Sequence, residues 1–117
     1  MQAEEIQEYC LKKKGVTESF PFNEETLVFK VGNKIFLLMS LESQPLKISL
    51  KNTPEKNIEL RAEFWQIEGA YHMNKAHWSS VVCEGIKADL IKKLIDESYD
   101  LVFKSLTKKM RDEVLAI

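Results

Sequence analysis

The sequence predicts an α+β sandwich in which an antiparallel sheet is covered by helices on one face, in the order α-β-β-β-α-β-α. Three observations carry this. Apolar residues recur at helical spacing at both ends of the chain; β-branched and aromatic runs flank Gly32-Asn33; and "LKISLK" and "HWSSVVC" alternate strictly. With 117 residues and 44% hydrophobic content the chain can bury one core, and no linker, repeat or low-complexity segment divides it. A single domain over residues 1–117 is expected.

The first helix is expected from Gln2 to Lys14, where Ala3, Ile6, Tyr9 and Cys10 share a face. Glu4 and Glu5 lie at its positive end and Lys12, Lys13 and Lys14 at its negative end, with Gly15 as its cap. Pro21 in "FPF" forbids helix there. Strands follow from Thr26 to Val31 and from Lys34 to Leu41, joined by Gly32-Asn33, a two-residue hairpin turn whose first position needs positive φ. A third strand alternates Leu46, Ile48 and Leu50 with Lys47, Ser49 and Lys51.

Next comes a helix capped by Asn52 or Thr53, with Pro54 in its first turn and Ile58, Ala62 and Trp65 recurring along one apolar side. "HWSSVVC" is a strand with Trp78, Ser80 and Val82 on one side, ended by Glu84-Gly85. From Ala88 to Leu115 there is no Gly or Pro. Ile91, Leu94, Ile95, Val102, Leu106 and Met110 form a stripe, so one long C-terminal helix is expected.

Composition limits the function. The 17 Lys and Arg nearly balance the 18 Asp and Glu, a poor profile for a dedicated nucleic-acid binder, whose affinity comes from neutralising phosphates; a local basic face would have to supply it. Cys10 and Cys83 lack metal or disulfide spacing and read as buried free thiols of a reducing compartment. The N-terminus has no apolar signal region, and "IFLLM" is too short to span a bilayer, so a cytoplasmic protein without membrane contact is expected.

The densest chemistry is "YHMNKAHW", residues 71 to 78. His72 and His77 have no Asp, Glu or Cys between them to complete a metal set. Ser79, Ser80 and Cys83 lie in or beside a strand with no oxyanion motif, so neither a catalytic residue nor a cofactor is assigned, and no enzyme is expected. Anion binding remains: Lys51, Arg61 and Lys75 could converge beside His72, Asn74 and His77, on phosphates or base edges. Against it stands a purely structural account, with Tyr71 and Trp78 anchored in the core and His72 and Asn74 satisfying backbone groups.

These same residues resemble the MmcQ/YjbR-like family. Its run is close to Y-H-M-N-K-x-H-W-N-x-V, matched by Tyr71, His72, Met73, Asn74, Lys75, His77, Trp78 and Val81. It is preceded by Leu50, Lys51, Pro54, Leu60 and Arg61, and followed by Ser98, Tyr99, Asp100, Leu101 and Val102. The "FPF" and "VFKVGNKIF" segments also fit. Two departures stand out: Glu68-Gly69-Ala70 replaces the usual Pro-Gly before the tyrosine, and Ser79 replaces an Asn after the tryptophan.

The resemblance implies a CyaY- and frataxin-like fold and a DNA-binding or regulatory role, with a winged arrangement that Lys47 and the Asn33-Lys34 tip could extend. Fold alone does not fix function. The frataxin likeness also raises iron, but the acidic first helix of an iron chaperone is reduced here to Glu4, Glu5 and Glu8. The competing expectation is a small-molecule or protein-binding module with a pocket floored by Phe20, Phe22, Trp78 and Tyr99 and rimmed by the octapeptide.

Overall fold

Alternation along six antiparallel strands decides which side chains meet the helices and which meet water. The computed structural model describes all 117 residues. In chain order the elements are α1 (Ala3–Leu11), β1 (Val16–Ser19), β2 (Thr26–Val31), β3 (Lys34–Ser40), β4 (Lys47–Lys51), α2 (Pro54–Glu63), β5 (Ile67–Gly69), β6 (Trp78–Val82), α3 (Ala88–Ser105) and α4 (Lys108–Leu115). The strands lie in the order β1-β2-β3-β4-β6-β5. No helix is long and apolar enough to cross a membrane.

Leu27, Met39, Ile48, Val81 and Ile67 stand opposite one another in turn across β2, β3, β4, β6 and β5. Phe29, Leu37 and Leu50 form the next row. These rows are buried under Ile6 and Cys10 of α1, Leu60 of α2, and Ile91, Leu94, Ile95 and Val102 of α3. Helices therefore cover one face of the sheet, as the sequence predicts.

A bulge in β3 shapes this packing. Phe29 pairs with Leu37 and Lys30 with Ile35, so Phe36 has no partner of its own on β2. Its ring is fully buried and meets Tyr99 of α3 edge-on, with centroids 5.5 Å apart. The hydroxyl of Ser98, also fully buried, donates to the Phe36 carbonyl at 2.6 Å and accepts the Lys51 amide at 2.9 Å. One side chain thus ties α3 to β3 and β4 where the ladder is interrupted.

The turn between β2 and β3 forms as expected: Gly32 has φ of +62° while Asn33 stays at negative φ, the pattern of a type II′ turn. Thr53 caps α2, its hydroxyl accepting the Lys56 amide at 3.3 Å. Other expectations need correction. β1 and β5 add two strands that the sequence reading lacks, because "VTES" is polar and mostly exposed and "IEG" is too short to show a period. The helix α1 ends at Leu11, and Gly15, at φ of +72°, lies in the following turn instead of capping it.

The long C-terminal helix is in fact two. Leu106 turns extended and buries its side chain beside Gly32, Thr107 caps α4 through the Met110 amide, and Arg111 donates to the Leu106 carbonyl at 2.6 Å. The apolar side assigned to the second helix also faces the wrong way. Ile58 is 68% and Trp65 76% exposed, while Asn57 and Leu60 point inward.

Replacing Ser98 with alanine strands the Phe36 carbonyl and the Lys51 amide in a dry interior. Urea unfolding should show a loss of about 2–3 kcal/mol. Burial pushes the Cys10 thiol up to about 12 and the Cys83 thiol to about 11, and desolvation together with its bond to Asp96 raises Tyr9 to about 12. The unfolded chain loses these protons at lower pH than the folded one, so stability holds below the ordinary thiol value of 9.0 and falls as pH rises through the folded values. Melting temperatures should decline above that pH, and Cys10→Ala should flatten the decline.

Candidate nucleic-acid interface

The octapeptide links β5 to β6 by two consecutive turns. The Met73 amide donates to the Ala70 carbonyl at 3.3 Å, and the His77 and Trp78 amides both donate to the Asn74 carbonyl, at 3.2 and 2.9 Å. Asn74 also folds its side-chain oxygen onto the Ala76 amide at 3.0 Å, a local Asx turn. As the third residue of the first turn, His72 adopts φ of +64°, a left-handed conformation that costs a non-glycine residue energy unless its surroundings hold it.

The holding comes from α2. Arg61 donates from Nε and Nη2 to the Ser79 hydroxyl at 3.1 and 3.0 Å, and from Nη2 to the carbonyls of Trp78, at 2.9 Å, and Lys75. Asn57, one turn earlier on the same helix, donates to the Ala76 carbonyl at 2.9 Å and accepts the Ser79 hydroxyl at 3.1 Å. These bonds pin the loop's carbonyls from below, and those from the guanidinium are strengthened by its charge. Ser79, where the resembling family commonly has Asn, is the buried hub of this network.

The network sorts the sequence-predicted residues. Arg61, expected among the phosphate contacts, is bonded within the chain by two of its three guanidinium nitrogens, to the loop and to Ser79, and anchors the turn. Asn74 likewise shapes the turn. Tyr71, expected to anchor in the core, is 77% exposed; the buried anchor is Ala70. On the loop's outer side, the Tyr71 and His72 rings lie 4.0 Å apart between centroids, tilted by 50°, and the Lys75 ammonium lies 5.9 Å from the Tyr71 ring centroid. The Lys75 stem runs over Gly69, where a Cβ would come within 3.2 Å of it.

Lys51 and His77 meet elsewhere. The Asn52 amide donates to the His77 carbonyl at 2.9 Å, and with Thr53, Pro54, Leu101 and Ser105 the two residues line a cleft of about 220 Å³. Lys51 also stands directly opposite Trp78, and alternation turns both toward the sheet face that carries no helix. The pocket expected from Phe20, Phe22, Trp78 and Tyr99 is absent. Tyr99 lies between Phe36 and Phe103 on the helix side and donates to the Lys14 carbonyl at 2.6 Å; Phe20 lies beside α1.

The helix-free face is the part that sequence reasoning missed. Its central row runs from Val28, which is fully buried, through Leu38, Ser49 and Ser80 to Glu68, with the Ser49 and Ser80 hydroxyls 3.2 Å apart. Lys30 on β2, Lys47 and Lys51 on β4, and Trp78 on β6 project from the same side. Among the strand residues pointing there, these three lysines face a single carboxylate, Glu68. The alternation in "TLVFKV" held the signal for Lys30. No three His, Cys, Asp or Glu side chains gather anywhere into a group that could hold a metal ion.

A six-stranded antiparallel sheet with helices on one face and a pinned turn between its last two strands defines a small α+β domain of a recognisable type. The YjbR family model matches residues 11–101, and the chain belongs to that family. It is 41% identical over 97 residues to the Escherichia coli protein YbdF, covering 81% of this chain and 79% of that one. It is 32% identical over 113 residues to Escherichia coli YjbR, covering 95% of each. Both relatives are described as uncharacterized. Among solved structures, the Deinococcus radiodurans protein DR2400 superposes with a TM-score of 0.89 at 38% identity, over 97% of this chain and 87% of that one. A Pseudomonas syringae protein follows with a TM-score of 0.75 at 28% identity, over 86% and 98%.

Arg61→Lys keeps the charge but loses the fork that reaches Ser79 and two carbonyls together. Amide hydrogen exchange at Met73, Ala76, His77 and Trp78 should accelerate at least about tenfold, while α1 and α3 stay protected.

Proposed function

We propose that this chain is a nucleic-acid-binding domain that lays a single strand across its helix-free sheet face, and that it carries out no chemistry on it. The observation that carries the reading is that Lys30, Lys47 and Lys51 project from the same sheet face as Trp78, with Lys51 directly opposite it, in a chain whose formal net charge is -1. Lysines neutralise phosphates, and the half-buried Trp78 indole offers a base an edge of ring surface on which to stack. Serine hydroxyls between them supply hydrogen bonds to sugar and phosphate. The octapeptide turn, held by Arg61 and Asn57, stands at the end of this face, with the Lys75 stem lying on the helix side over Gly69.

A binding role without catalysis agrees with the state of the nucleophiles. Ser79 is buried within the Arg61 and Asn57 network, Ser80 shares a hydrogen bond with Ser49, and burial keeps Cys83 protonated well above neutral pH.

Fluorescence-anisotropy titrations with single-stranded and duplex DNA at several salt concentrations test the proposal. Affinity should fall steeply with salt, favour the single strand, and lose about 0.7 from the slope of log K against log salt for each of Lys47→Ala and Lys51→Ala. Trp78→Phe should weaken binding less than Trp78→Ala. Preference for duplex would move the contact to the octapeptide turn, and binding that ignores salt or both lysine substitutions would overturn the proposal.

A further inference from the structure

We propose that the groove between α1 and β1 is a binding site for an organic ammonium ion: a primary amine on a short apolar body. This site lies on the helix side of the sheet, away from the face assigned to nucleic acid. The cavity measures about 430 Å³, within the range of small-molecule sites. Leu27, Met39, Leu41 and Phe20 form its apolar surface. Phe20 is 48% and Leu41 37% exposed, so the groove leaves apolar area in water that a ligand would cover.

The rim fixes the charge of the occupant. Glu4 of α1 and Glu18 of β1 line the groove, and no lysine, arginine or histidine does. Gln7, one turn along α1 from Glu4, donates its amide to both oxygens of Glu18, at 2.8 and 3.0 Å, and so fixes the orientation of that carboxylate. Neither carboxylate has a cationic side chain within ion-pairing distance; the ion pairs of this chain are Lys12–Glu8, Lys13–Asp96 and Lys108–Asp112.

An anion would therefore be repelled at the rim, and a neutral ligand would leave both carboxylates without a counter-charge. A dication would have to lay its second charge on Leu27 and Met39, at the cost of desolvating it. One cationic head and one apolar body match the groove. The two carboxylates are unequal: Glu4 stands in the first turn of α1, where the helix dipole already favours it, whereas Glu18 has only the Gln7 amide. Glu18 is the stronger determinant.

The test is a titration of the isotopically labelled full chain followed by proton–nitrogen correlation spectra. The probes are phenethylammonium, its neutral counterpart 2-phenylethanol and the anion 3-phenylpropionate. Phenethylammonium should shift the amides of Gln7, Ser19, Phe20, Leu27 and Met39, with 2-phenylethanol several-fold weaker and the anion silent. Glu18→Gln should weaken the amine about threefold and leave the alcohol unchanged, with a smaller effect for Glu4→Gln. Leu41→Trp, at the partly exposed margin of the groove, should block both while the spectrum stays dispersed. Equal binding of amine and alcohol, shifts confined to other acidic patches such as Glu55 and Glu59, or no shift at tens of millimolar amine would each overturn the proposal.

Discussion

The hydroxyl of Ser98 is the point on which the rest of this fold depends. A bulge that buries two consecutive side chains of β3 leaves its carbonyl and the end of β4 without a regular ladder, beneath fully buried side chains. By donating to Phe36 and accepting from Lys51, the serine lets α3 approach the sheet closely enough for Tyr99 to meet the Phe36 ring. It also fixes where β4 ends. From that end the chain turns into Asn52, which accepts the Thr53 amide and donates to Glu97, and then into α2.

The position of α2 in turn sets the octapeptide. Arg61 and Asn57 are inward-facing polar residues on a helix whose apolar residues partly face outward, which inverts the usual arrangement. The inversion makes sense in energetic terms. Ser79 stands in the core-facing row of β6, and the carbonyls of the turn above it would be unpaired without donors from below. A charged side chain and an amide spend their hydrogen-bonding capacity there, so the turn can present Tyr71, His72 and Lys75 to solvent without wavering. Rigidity in the loop and polarity under it are one property.

Much of this was legible in the sequence. The alternation of "LKISLK" and "HWSSVV" gave both strands and the correct outward side, and Gly32-Asn33 gave its turn, because a two-residue period and a positive φ leave direct marks on residue choice. What escaped is equally physical. β5 is too short to show a period, and Thr107 ends a helix although neither Gly nor Pro marks the break. Ile58 and Trp65 obey helical spacing, but spacing does not say which side of a helix meets the core. For the site, residue types alone made Arg61 and Lys51 look alike as cations. Only the register separates a guanidinium spent on carbonyls beneath the loop from an amine on the opposite face.

The two margins of the sheet carry a final consequence. β1 has four residues, three of them exposed and polar, and β5 has three, with Glu68 outward. Such stubs offer an incoming chain too few free backbone groups, and too much charge, to recruit it as a further strand. Neighbouring molecules in a crowded solution are thereby denied the route that leads to fibrils. What the surface does leave open to a neighbour is side-chain contact through exposed apolar groups such as Trp65.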